Sequence, residues 1–111
     1  MSSQTELIAQ IQELVQAGHY RIRLHAARHM VEEGFDENHL LEAVKGKLRV
    51  VEEYSEESRY LVLGYFHFTP QSTSLLHLVC DLSRPDVLDI VTAYISQRPW
   101  WVSSTQRGRE R

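Results

Sequence analysis

The sequence predicts an α+β fold, with N-terminal helices packed on one face of an antiparallel sheet of four to five strands. Two observations support this class. Helical periodicity dominates residues 3–46, apart from one short alternating segment, whereas residues 47–95 form short apolar runs separated by turn residues. Helices grouped ahead of consecutive strands are typical of α+β domains, in which the helices cover a single face of the sheet.

Three segments carry the helical pattern. The first places its apolar residues on one stripe and ends at Gly18, and the stripe consists of Leu7, Ile8, Ile11, Leu14 and Val15. The segment "HAARHMVEEG" predicts a short second helix that ends at Gly34. The third, "FDENHLLEAVKG", has Asp36 at its N-cap position and ends at Gly46.

The strand segments follow a different period. "HYRIRL" alternates strictly, with Tyr20 and Ile22 on one face and basic residues on the other. Later, "LRVVEEY", "RYLVLGYFHF", "LLHLVCDL" and "VLDIVTAYI" are separated by polar turns and predict an antiparallel meander. In the last of these, unbroken alternation places Asp89 on the opposite face from Tyr94.

The first strand suggests where a functional surface lies. Its apolar positions must face the helices, so Arg21, Arg23 and His25 are expected together on the uncovered face of the sheet. "RYLVLGYFHF" is apolar on both faces, which is typical of an interior strand, and Arg59 at its start is expected either to join the basic surface or to pair with Glu56 or Glu57.

Length and composition predict one soluble domain. The 111 residues are 42% hydrophobic and 24% charged, and we expect a single domain over residues 1–97 followed by a basic tail over residues 98–111. The tail contains Trp100 and Trp101. Adjacent tryptophans can stack on bases or anchor an interface, but we expect them to fold back over an exposed sheet surface.

Charge and cysteine content narrow the functional classes. A net charge of -3 and a pI near 6.0 disfavour strong nonspecific nucleic-acid binding. The sequence has no apolar run of membrane-spanning length and no leader-like start, so no membrane association is expected. The single cysteine, Cys80, excludes an intrachain disulfide, which agrees with a cytoplasmic location. We expect Cys80 to be a small, buried hydrophobic residue.

Five segments carry a resemblance to a known family: "RLHAARHMVEEGF", "LLEAVKGKLRVVEEY", "RYLVLGY", "LHLVCDL" and "DIVTAY". They are similar to a domain family of unknown function, of the DUF4258 type, which is grouped with the RelE and barnase-like toxin nucleases. The resemblance implies a RelE-like helix-flanked sheet and metal-independent RNA cleavage. The His-Ala motif of the family falls on His25 and Ala26, and the family commonly has Arg at His29 and a basic residue at Glu33.

The residues themselves suggest acid/base chemistry. RNA cleavage without a metal needs one group to take the 2′-OH proton, another to protonate the leaving 5′-oxygen, and cations near phosphorus. His25 and His29 are the candidate proton-transfer pair, with Arg23 and Arg59 as catalytic cations and no cofactor. The candidate substrate-binding residues are Arg21, Arg28 and Tyr94.

Other interpretations remain open at the level of sequence. His25 is suitably placed to satisfy a free backbone N–H at a strand-to-helix junction. The alternative to the nuclease interpretation is a noncatalytic module that binds RNA or a small protein partner. Because His25 and His29 lie one helical turn apart, a metal site is a further alternative. Its additional ligands would come from His67, His77, Cys80 and Asp81. The sequence does not define an oligomeric state.

Overall fold

The structure is a computed structural model that describes residues 3–95, apart from the side chains of Ser3 and Ser55. It contains three helices, α1 (Ser3–Gln16), α2 (Leu24–Glu33) and α3 (Glu37–Lys45), and a short 3-10 turn at Ser55–Glu57. The strands are β1 (Tyr20–Ile22), β2 (Arg49–Tyr54), β3 (Arg59–Thr69), β4 (Ser72–Asp81) and β5 (Leu88–Ile95). The predicted α+β class is therefore confirmed.

The five strands form one sheet in the order β1-β5-β4-β3-β2. The four later strands make the predicted antiparallel meander, but β1 pairs in parallel with β5. The sheet is therefore mixed, and the expectation of a wholly antiparallel sheet was wrong. The reason is the connection after β1: two helices carry the chain to the far edge of the sheet, so no hairpin ties β1 to an antiparallel neighbour.

Local sequence explains the helix ends. Gly34 closes α2 in the left-handed conformation at φ 80°, which glycine adopts without strain. The Asp36 side chain caps α3 by accepting hydrogen bonds from the backbone N–H groups of Asn38 and His39, as predicted. The His39 ring makes the reciprocal hydrogen bond, in which its Nδ1 accepts from the Asp36 N–H at 3.1 Å. Histidine thus takes the place that Glu or Gln usually has in a capping box.

The hydrophobic core lies between the helices and one face of the sheet. Among its fully buried side chains are Ile11, Leu40, Val44, Val62, Phe66, Leu76, Leu78, Cys80, Leu88 and Ile90. Helix α3 lies close to β3 at Gly64, where an added Cβ would lie 2.8 Å from the Ala43 carbonyl oxygen. The absence of a side chain at Gly64 therefore sets the distance between α3 and the sheet.

A β-bulge in β5 changes which residues share a face. Val79 is opposite Thr92, whereas the next residue of β4, Cys80, is opposite Ile90, so Val91 is an extra residue in β5. Alternation shifts by one position at Val91. As a result Asp89 lies on the same face as Thr92 and Tyr94, and the expectation that Asp89 faces the other way was wrong.

Two further sequence expectations concern membrane association and the C-terminal tail. Within residues 3–95, no helix combines the length and the apolar character needed to span a lipid bilayer. The basic tail at 98–111, with Trp100 and Trp101, lies outside the described residues.

Candidate functional site

The sheet has a second face, turned away from the hydrophobic core, which we call the open face. The strand register places its residues at alternate positions on β1, β5, β4 and β3. They include Arg21, Arg59, Leu61, Leu63, Tyr65, Leu75, His77, Val79, Asp81, Asp89, Thr92 and Tyr94. Apolar residues occupy its centre, whereas the ionic residues lie at the end where β1 pairs with β5.

A row of ionic side chains crosses this end of the open face. Arg21 binds Asp89 through two hydrogen bonds, Nε to Oδ1 at 2.8 Å and a terminal guanidinium nitrogen to Oδ2 at 3.1 Å. Arg59 binds Asp81 from the other side through one hydrogen bond, with Nε 2.9 Å from Oδ2. Arg23 approaches Asp89 at 3.5 Å. We call these five residues the charge row.

The contacts within the charge row keep both carboxylates ionised. Hydrogen bonds from Arg21 lower the pKa of Asp89 and outweigh the opposing effect of its burial. Burial is the largest single influence on Asp81 and raises its pKa, but hydrogen bonds from Ser83 and Arg59 together lower the pKa below its ordinary value. Three guanidinium groups face two carboxylates, so the row carries one excess positive charge.

A group of four rings lies where α2 meets the open face. Helix α2 packs against β5 and carries His25 and His29, whose ring centroids are 4.8 Å apart in an edge-to-face arrangement. The His29 centroid lies 6.5 Å from that of Tyr94 on the open face. The His77 ring stacks on Tyr94 with centroids 4.7 Å apart and planes inclined by 8°. These four residues, the ring cluster, connect the helix to the sheet.

Glu33 joins the ring cluster to the end of β5. One of its oxygens, Oε1, accepts a hydrogen bond from the Ile95 N–H at 2.6 Å. The other, Oε2, lies 3.8 Å from Nδ1 of His29. This Nδ1 atom is buried and has no hydrogen-bond partner among the described residues.

The structure brings most of the predicted site residues together. Arg21 and Arg23 meet at Asp89, and His25 and His29 lie near Tyr94. His25, however, is the second residue of α2 and not the end of a strand. No hydrogen bond joins its side chain to another residue within 3–95, so the expected role in satisfying a backbone N–H at the helix start is not observed.

Arg59 and Arg28 are placed apart from this group. Arg59 pairs with Asp81 and not with the expected Glu56 or Glu57, because the β3–β4 register sets Arg59 directly opposite Asp81. Three strand spacings separate Arg59 from Arg21, about 14 Å. Arg28 is exposed on α2 and makes no hydrogen bond or ion pair with the described part of the chain.

The residues proposed as further metal ligands do not come together. Within residues 3–95, no three His, Cys, Asp or Glu side chains form a group that could hold a metal ion. Cys80 lies on the core side of β4, where complete burial raises the pKa of its thiol to about 12. His67 pairs instead with Glu42 of α3, Nδ1 to Oε2 at 2.7 Å.

Sequence reasoning missed the acidic members of this site. Asp81 and Asp89 were not recognised as arginine partners, because the pairing depends on the registers of two strand pairs, β1 with β5 and β3 with β4. Glu33 was overlooked because its contact with Ile95 joins residues that are 62 positions apart. One signal was available: Glu33 follows His29 by four residues, the spacing at which helix side chains meet.

Fold and site together define a class of small α+β domain, in which an ionic row on an open sheet face adjoins a histidine pair on the flanking helix. A family model described as "Domain of unknown function (DUF4258)" matches residues 22–95, about two thirds of the chain. The protein belongs to this family. No significant match was found among curated proteins or among solved structures.

Proposed function

We propose that the protein is a RelE-like, toxin-type ribonuclease that cleaves RNA on the open face without a metal ion. The observation that carries the proposal is a pair of imidazoles 4.8 Å apart on a helix whose N-cap is Arg23, with the His29 ring 6.5 Å from the Tyr94 ring. Proton transfer by paired imidazoles and charge stabilisation by guanidinium groups are the functions that metal-free phosphodiester cleavage requires.

The two histidines differ in ways that suit different roles. His29 is half-buried and has a carboxylate near Nδ1, so it acts as the base that takes the proton from the 2′-OH. The 2′-oxygen then attacks phosphorus and forms a cyclic 2′,3′-phosphate, while the bond to the 5′-oxygen breaks. His25 is exposed and, in its protonated form, donates a proton to the leaving 5′-oxygen.

The start of α2 supports phosphate binding at this position. Arg23 occupies the N-cap, and no side chain caps the backbone N–H groups of the first turn. Unpaired N–H groups at a helix start attract anions. The Arg23 side chain remains 53% exposed despite its contact with Asp89, so it is accessible to a phosphate group. Arg21 meets Arg23 at Asp89, whereas Tyr94 lies beside His29, further along α2.

Cleavage of a single-stranded RNA in the presence of a chelator tests the proposal. His25→Ala and His29→Ala should each slow cleavage by about 10²-fold or more, the usual contribution of a positioned acid or base. His19→Ala is the matched control, because His19 is exposed and outside the ring cluster. Absence of cleavage by the wild-type protein, or equal rates for all variants, would remove the catalytic proposal.

The second candidate is a noncatalytic module that binds a small protein partner. It is favoured by the ion pairs of Arg21 and Arg59, which occupy guanidinium groups that RNA would otherwise use. Two apolar side chains on α2, Leu24 at 67% and Val31 at 80% exposure, add a surface suited to a protein. A stable complex in size-exclusion chromatography with light scattering, formed equally by wild type and His25→Ala, would favour this function.

A further inference from the structure

The environment of His29 is unusual at one atom. Its Nδ1 is buried without a hydrogen-bond partner among the described residues, although a carboxylate oxygen of Glu33 lies 3.8 Å away. Glu33 cannot turn freely toward or away from the ring, because its other oxygen is held by the Ile95 N–H at 2.6 Å. The backbone of β5 therefore fixes a negative charge beside one nitrogen of the imidazole.

We infer that Glu33 is a positioning residue that holds neutral His29 in the tautomer with its proton on Nδ1. A proton on Nδ1 turns this nitrogen into a donor directed at the Glu33 carboxylate. The lone pair then resides on Nε2, the nitrogen available to accept a proton. The tautomer assignment stands on geometry alone, whereas its consequence for catalysis rests on the proposed function.

The alternative tautomer is disfavoured by repulsion at Nδ1. With the proton on Nε2, the lone pair of Nδ1 would face a carboxylate oxygen, and two acceptors would oppose each other without a proton between them. With the proton on Nδ1 the interaction is reversed, because the N–H dipole is attracted by the carboxylate charge 3.8 Å away. The other rings that contact His29 are His25 on the same helix and Tyr94 on β5, and both approach as ring neighbours.

This arrangement has a consequence for proton transfer. When Nε2 accepts a proton, His29 becomes an imidazolium ion with the Glu33 carboxylate 3.8 Å from Nδ1. A histidine with the opposite tautomer has no lone pair on Nε2 and cannot accept a proton there. Glu33 thus determines which nitrogen of His29 serves as the base.

Replacing Glu33 by glutamine gives a sharp test, because the amide has the same shape but only one acceptor oxygen. The Ile95 N–H retains that oxygen, so the amide NH₂ group is directed at Nδ1 of His29 and donates to it. His29 should then change to the tautomer with its proton on Nε2. Glu32→Gln is the matched control, since it removes the same charge from an exposed neighbour on the same helix.

Nitrogen-15 NMR of the histidine rings, recorded on the full chain with His29 neutral, measures the tautomer directly. The wild type and Glu32→Gln should show the proton on Nδ1, and Glu33→Gln should show it on Nε2. A wild-type ring protonated on Nε2, or a Glu33→Gln ring identical to wild type, overturns the inference. The wild-type spectrum alone decides which nitrogen of His29 carries the proton, even if Glu33→Gln folds poorly.

An activity measurement separates this inference from the proposed function. Glu33→Gln should lower kcat for RNA cleavage by roughly 10²-fold or more with little change in KM, because the base loses its lone pair while RNA binding is retained. Glu32→Gln should leave kcat unchanged. A wild type that has the proton on Nδ1 but cleaves no RNA would refute the proposed function alone; a tautomer change without loss of kcat would refute the catalytic consequence.

Discussion

Asp81 and Asp89 lie directly opposite each other on neighbouring strands, and each carboxylate is paired with an arginine on its outer side. Like charges at opposed positions on a sheet are destabilising when they stand alone. Here Arg59 neutralises one and Arg21 the other. The two aspartates therefore depend on their arginines, and the charge row responds as one unit to a change in pH or to the loss of one member.

Acid should destabilise the protein through this row. Because hydrogen bonds from Arg21 lower the pKa of Asp89 in the folded state, its stabilising effect is complete above the ordinary Asp pKa, about 3.9. The effect is lost as the pH falls from that value through the folded-state pKa. Asp81 has a lowered pKa and acts in the same direction. The Tm of thermal unfolding, measured from neutral pH down to a pH below the ordinary Asp pKa, should fall as this stabilisation is lost.

Asp89→Asn should make the dependence of Tm on acid pH less steep, because asparagine does not titrate. Asp86→Asn is the matched control: Asp86 is exposed, and its contact with Arg84 is 4.0 Å long. It should leave the acid dependence close to that of wild type. Equal slopes for wild type and Asp89→Asn would show that Asp89 does not contribute to acid sensitivity.

The arginines should not be equivalent in RNA cleavage. Arg23→Ala should lower kcat/KM more than Arg59→Ala, because Arg23 begins the helix that carries both histidines, whereas Arg59 pairs with Asp81 about three strands from β1. Steady-state cleavage of one RNA by both variants gives the comparison. A larger loss for Arg59→Ala would place the scissile phosphate near β3 and contradict the assigned site.

The sequence was sufficient to predict elements whose signals are local. Asp36 was recognised as a cap and Gly34 as a helix end, because capping and the left-handed conformation depend on neighbouring residues. The two apolar faces of "RYLVLGYFHF" correctly predicted an interior strand, because β3 lies between β4 and β2. These features need no knowledge of which strand lies beside which.

The features that were not predicted depend on long-range register. The parallel pairing of β1 with β5 follows from the chain path through two helices, and the extra residue Val91 has no marker such as glycine or proline. Without this bulge, alternation separates Asp89 from Tyr94. The histidine pair was found from its spacing, but its proximity to Tyr94 and Glu33 required the position of α2 beside β5.

Gly64→Ala should destabilise the fold. The new Cβ would lie 2.8 Å from the Ala43 carbonyl oxygen and 3.0 Å from a methyl group of Leu48, so α3 must move away from β3. Overpacking of this kind costs about 1–3 kcal/mol in the free energy of unfolding, measurable by urea denaturation. Gly46→Ala is the control, because its nearest contact, to the Glu42 carbonyl oxygen, is an ordinary 3.5 Å. Equal losses for the two variants would contradict the close approach at Gly64.

Removing the cap of α3 should weaken the protein by a measurable amount. Asp36→Ala deletes the acceptor for two backbone N–H groups, those of Asn38 and His39, and should lower the free energy of unfolding by about 1 kcal/mol. Asp36→Asn retains an oxygen acceptor and should lose much less. His39→Gln should also be tolerated, since glutamine can accept the Asp36 N–H as the histidine ring does. Urea denaturation of the three variants ranks them. Equal stability of Asp36→Ala and Asp36→Asn would show that the cap adds nothing, because only alanine removes the acceptor.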